Sequence, residues 1–123
     1  QRRSPLVPTL CWPMAGDKGQ LTIRLSQAIR VSHITIGHIS KTQARTADTP
    51  SAPKDISIYG LNQINGQAKF LGSLTYYQSG ASFQTFTLPR VHPETFRYVR
   101  VHINNNYGNK DYTCLYNIRV HGE

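Results

Sequence analysis

The residues able to carry chemistry are few and scattered. Six carboxylates, Asp17, Asp48, Asp55, Asp111, Glu94 and Glu123, are spread over 123 residues, and no two have the local spacing of an acid and base pair. His33, His38, His92, His102 and His121 lack the HxH or HExxH spacing of a metal centre, although His33 and His38 could meet in space. There is no GxSxG elbow and no P-loop, and Gly16-Asp17-Lys18-Gly19 reads as a hairpin turn rather than a phosphate cradle. An enzyme is therefore not expected. Recognition is better supplied: Tyr107, Tyr112 and Tyr116 crowd near Cys114. An aromatic face joined to a hydroxyl suits apolar or proline-rich ligands, and equally suits ordinary core and rim packing. Trp12, beside Cys11, reads as a core anchor.

The charge balance raises anionic partners. Fourteen Lys and Arg against 6 Asp and Glu give a formal net charge of +8, which favours nucleic acid, anionic lipid or acidic peptide by long-range attraction. The basic residues fall singly, however, with no run longer than Arg2-Arg3. A solvated basic face is the simpler reading, and nucleic acid is not expected as a partner. The two cysteines, Cys11 and Cys114, have no CxxC spacing, so they do not make a metal site. They are either buried thiols or one bridge near the two ends of the chain; a bridge closing so long a loop would stabilise by roughly 4–5 kcal/mol.

The elements that must position these residues are strands. Leu21-Thr22-Ile23-Arg24-Leu25 alternates apolar and polar, and the pattern recurs in Ile34-Thr35-Ile36, Ile56-Ser57-Ile58-Tyr59, Val99-Arg100-Val101-His102-Ile103 and Cys114-Leu115-Tyr116-Asn117-Ile118-Arg119-Val120. Residues 70–77 and 83–88, rich in aromatic residues and Thr, suit a pleated surface. About seven or eight short strands follow, and Asn65-Gly66, Ser79-Gly80 and the stretch 104–109 mark turns between them. No apolar stripe at helical spacing persists over three turns. Nor does any window approach the roughly 18 apolar residues of a spanning helix, and the first residues do not read as a signal peptide. The fold class expected is an all-β antiparallel sandwich, jelly-roll-like, in one domain. Residues 40–54, polar and carrying Pro50 and Pro53, form a long loop of the kind that usually binds something.

Four ordered segments carry a family resemblance from Cys11 to Gly122. Cys11-Trp12-Pro13 with Gly16 and Gly19-Gln20-Leu21 resembles the CW…G..G opening of SUN domains. Gly37-His38-Ile39-Ser40-Lys41 resembles their EH.PK segment, and Ser51-Ala52-Pro53-Lys54-Asp55-Ile56-Ser57-Ile58-Tyr59-Gly60 their SSAPKDF.VYG segment. The stretch from Tyr107 to Gly122 resembles the C-terminal signature of the family. The resemblance implies a galactose-binding-like sandwich over 11–123, preceded at 1–10 by the remnant of a lid and cation-loop region. It implies a lumenal domain of an inner-nuclear-membrane protein in the LINC complex. Such a domain assembles as a homotrimer and captures the C-terminal tail of KASH proteins, linking nucleus to cytoskeleton in nuclear anchorage and migration.

By the same resemblance His38, Ser51, Tyr112 and Tyr116 take positions of the tail pocket, and Cys11 and Cys114 form the intradomain disulfide. The family places a monovalent cation, K+, on backbone carbonyls just before the first cysteine; residues 5–10 here are shorter than that loop. Gly37 stands where Glu is common, and Asn106-Tyr107-Gly108-Asn109-Lys110 replaces the more usual NWGHP, both where partner choice would be set. In a strand, the i, i+4 spacing of Tyr112 and Tyr116 puts both on one face. Two other readings stand beside this one: a carbohydrate-binding jelly roll, and a SUN-like structural domain that works without a KASH partner.

Overall fold

The computed structural model describes residues 11–38, 51–89 and 93–123. The cation loop at 5–10, the upstream segment 1–10, His92, Asp48 and most of the 40–54 loop lie outside the described residues.

Alternation of apolar and polar residues becomes pleated strands because every second side chain meets the same face. Among the described residues nine strands form: β1 (Trp12–Ala15), β2 (Gly19–Ile29), β3 (Val31–Gly37), β4 (Asp55–Leu61), β5 (Lys69–Thr75), β6 (Phe83–Thr87), β7 (Phe96–Ile103), β8 (Tyr112–Leu115) and β9 (Asn117–Gly122). They build a four-stranded sheet in the order β2-β7-β4-β5, a three-stranded sheet β6-β3-β9 and a two-stranded ribbon β1-β8. Every pairing is antiparallel. The expected antiparallel sandwich is therefore present. No helix among the described residues is long and apolar enough to cross a membrane.

The core lies where the inner faces of the two larger sheets meet. Ile34 and Ile36 of β3, Ile56 and Ile58 of β4, and Val99, Val101 and Ile103 of β7 are all buried there. Burying each such aliphatic side chain contributes about 1.5–3 kcal/mol relative to leaving it in water. Gly60 of β4 lets Phe96 seat on the sheet, since a Cβ there would stand 2.6 Å from the Phe96 ring.

Four expectations are corrected. The single strand from Cys114 to Val120 is two strands, broken at Tyr116: β8 pairs with β1, and β9 pairs with β3 in another sheet. Alternation alone does not tell which neighbour a strand will choose, so the break left no mark in the pattern. Gly16 to Gly19 is a turn but not a hairpin, because β1 pairs with β8 and β2 with β7. Trp12 is not a core anchor; it is 60% exposed on the two-stranded ribbon. His33 and His38 do not join in a metal centre. His33 stands at the opposite parity to Ile34 and Ile36 and pairs with Ser32 Oγ at 2.7 Å, whereas His38 is fully buried. Among the described residues no group of three or more His, Cys, Asp or Glu could hold a metal ion.

Candidate functional site

Gly37, the last residue of β3, pairs with Asn117 at the start of β9, and His38 follows it directly. The Tyr116 N–H donates to the Gly37 carbonyl at 3.2 Å, and the His38 N–H to the Ser82 carbonyl at 3.0 Å. Position 37 must be small: a Cβ would lie 2.9 Å from both Asn117 Cβ and the Phe83 ring. A larger side chain there would require Asn117 or Phe83 to shift.

His38 is the centre of a ring cluster. Its imidazole meets Tyr116 edge-on at 4.8 Å between centroids and 90° between planes, and Tyr76 at 6.3 Å. Edge-to-face rings at this distance attract beyond their area burial. Ser51 Oγ makes a long 3.5 Å contact with His38 Nε2, and both residues are buried. Tyr76 is buried to 1% exposure, and its hydroxyl donates to the Ser82 carbonyl at 2.8 Å. Burial pushes the Tyr76 phenol up to about 12, against a smaller lowering by its bond to the His38 carbonyl. The Tyr76 hydroxyl therefore keeps its proton at ordinary pH.

Polar side chains, not apolar area, hold the neighbouring loop in place. Asn106 Nδ2 donates to the carbonyls of Asn109 (2.7 Å) and Tyr112 (3.2 Å) and to Thr113 Oγ1 (2.9 Å), while its Oδ1 accepts from the Gly108 N–H at 3.0 Å. Asn109 Oδ1 accepts from the N–H groups of Asp111 and Tyr112. Side-chain amides acting in this way replace the ladder a strand would supply. Tyr107 donates to the Tyr76 carbonyl at 2.6 Å, tying this loop to the ring cluster. Below it, Asp55 accepts from Asn105 and Thr75, and those bonds hold its carboxyl below the usual carboxylate range.

Cys11 and Cys114 form a disulfide with Cα atoms 5.3 Å apart. It fastens the chain just ahead of β1 to the middle of β8, where Pro13 faces Cys114. Of the four pocket positions expected from the sequence, the structure brings together His38, Ser51 and Tyr116. Tyr112 stands at the other end of β8, opposite Ala15. Because the strand breaks at Tyr116, the argument that i, i+4 spacing puts both tyrosines on one face does not hold. Sequence reasoning missed Tyr76 and Asn106. Alternation offered a signal for the first: of the adjacent pair Tyr76 and Tyr77, the second is 59% exposed while the first is buried.

The whole chain, residues 1–123, matches the family described as Sad1 / UNC-like C-terminal. It is 42% identical over 117 residues to SUN domain-containing protein 5 of Mus musculus, covering 95% of this chain and 31% of that protein. It is also 42% identical over 120 residues to SUN domain-containing protein 1 of Homo sapiens, covering 96% of this chain and 15% of that protein. The chain thus spans less than a third of the length of these relatives. Among solved structures it is similar to a family 32 carbohydrate-binding module from Streptococcus pneumoniae EndoD. There the TM-score is 0.71 at 20% identity, over 95% of this chain and 80% of the other. It is likewise similar to CBM32-3 from a family 31 glycoside hydrolase of Clostridium perfringens, with a TM-score of 0.72 at 14% identity, over 94% and 77% of the two chains. At those identities the likeness is one of fold.

Proposed function

Since the chain belongs to the Sad1/UNC-like C-terminal family, the SUN domains, we propose that it is a non-catalytic peptide-binding domain that captures the C-terminal tail of a KASH protein. His38, Ser51, Tyr112 and Tyr116 form the proposed pocket. The supporting observation is the edge-on pair of buried His38 and half-buried Tyr116 with Ser51 beside it, at the end of β3 where β8 hands over to β9. A terminal carboxylate needs hydroxyl or N–H donors, and proline rings need aromatic faces; Ser51, Tyr112 and Tyr116 offer both. In this reading the domain works as a trimer in the perinuclear space. The Cys11–Cys114 disulfide suits such an oxidising compartment. A K+ ion near Cys11 belongs to the same reading.

The test is a calorimetric titration of this chain with a synthetic KASH-protein tail, as free acid and as C-terminal amide. Binding of the acid with loss of affinity on amidation is expected. Equal affinities, or none, would remove the carboxylate pocket.

A second reading rests on the outer face of the four-stranded sheet. Phe70, 58% exposed, meets Tyr59 at 5.6 Å, and Tyr59 meets His102 at 4.7 Å. Such an aromatic row is what a carbohydrate-binding sandwich uses to stack sugar rings. Glycan-array binding lost on Phe70→Ala, with no tail binding, would favour it.

A further inference from the structure

β2 and β7 keep register from Gly19 to Arg24 and then lose it. From Arg24 to Ile29 five residue steps on β2 face two on β7, leaving three residues in excess. An excess of this kind bends a strand and re-aims its side chains. Here it opens a cleft of about 630 Å³ on the flank of the sandwich, between the second half of β2, the start of β7 and β9. That volume lies within the range of ligand-binding cavities.

We propose that this cleft is a docking groove for an extended acidic peptide segment, one that alternates carboxylate and aliphatic side chains. Three observations support it independently of the tail-binding reading. Arg24, Arg97 and Arg119 line the cleft and no carboxylate does, in a chain of net charge +8. Arg24 and Arg97 are exposed, and the Lys69–Glu94 ion pair lies elsewhere. Guanidinium groups are the side chains best shaped to bind carboxylates.

The same cleft has an apolar side, with Leu25, Ile118 and Val120 partly buried against the core. A free inorganic anion would leave that side unused. Finally, β2 and β9 each stand at an end of their sheet. An edge strand presents backbone groups that an added strand can pair with, its alternate side chains then reaching one face. A nucleic acid matches the charge but neither the apolar side nor the edge.

The test is fluorescence anisotropy of the whole chain with a labelled, end-capped peptide of alternating Glu and Val, beside a Lys-Val peptide and a single-stranded oligonucleotide. The Glu-Val peptide is expected to bind, and Arg24→Glu with Arg97→Glu to weaken it by about tenfold or more, while thermal unfolding stays unchanged. Both side chains are exposed, so the fold is not at risk, and Arg97→Gln gives a milder intermediate. Tighter binding of the Lys-Val peptide or of the oligonucleotide would overturn the proposal. So would no binding of the Glu-Val peptide, or binding insensitive to the arginine variants. Titration with the KASH tail reads the other site, so the two proposals fail separately.

Discussion

The sandwich interior and the His38 end of the same molecule are held by different forces. Between the sheets, Ile34, Ile36, Ile58, Val99 and Val101 exclude water by area alone. Around His38 the chain leaves regular pairing, and a few polar side chains each satisfy several backbone groups: Asn106 serves three, besides the Thr113 hydroxyl, and Asn109 two. The first arrangement tolerates exchange of one aliphatic residue for another of similar volume. The second does not, because a buried group left without its partner keeps the full cost of desolvation.

Truncation tests the contrast most severely. Ile58→Ala should lower stability by about 2–5 kcal/mol, read as a lower urea midpoint at unchanged slope, with tail affinity intact once the protein is folded. Ile58→Val should cost about 0.5–1.5 kcal/mol. Asn106→Ala should cost about 1–3 kcal/mol and also loosen residues 106–113, seen as faster amide exchange confined to that stretch. Uniform acceleration across the sandwich would erase the distinction between the two regions.

The smallest effect is a pH dependence. The folded-state Tyr76 phenol, at about 12, lies above its ordinary value of 10.0, so its contribution is whole below pH 10 and is lost as pH rises toward 12. Tyr76→Phe should therefore lose less stability than the parent chain between those values. Equal alkaline losses in chemical denaturation would show that Tyr76 is not the group responsible.

The interior was legible because alternation is a direct imprint of burial: Leu21 to Leu25, Ile34 to Ile36, Ile56 to Tyr59 and Val99 to Ile103 all fall in strands. β1 was not, since Trp12-Pro13-Met14-Ala15 carries no alternation and is a strand only because β8 lies beside it. Nor was the handover at Tyr116, where the apolar rhythm runs on while the partner changes. The family segments located His38, Ser51 and Tyr116, but Asn106 exerts its hold through contacts that no local pattern encodes. Trp12 shows the converse: a large apolar side chain is inside only if another surface covers it.

The disulfide also has a mechanical meaning. Cys11 and Cys114 are 103 positions apart in sequence, yet the bond places the chain ahead of β1 one covalent step from β8 and two residues from Tyr116. A pull applied at Cys11 thus reaches the ring cluster through sulfur and a short length of backbone, and bypasses the hydrogen bonds of both larger sheets. Stretched between Cys11 and Glu123 in an optical trap, the oxidised chain would withhold on the order of 350 Å of contour, which reduction would release.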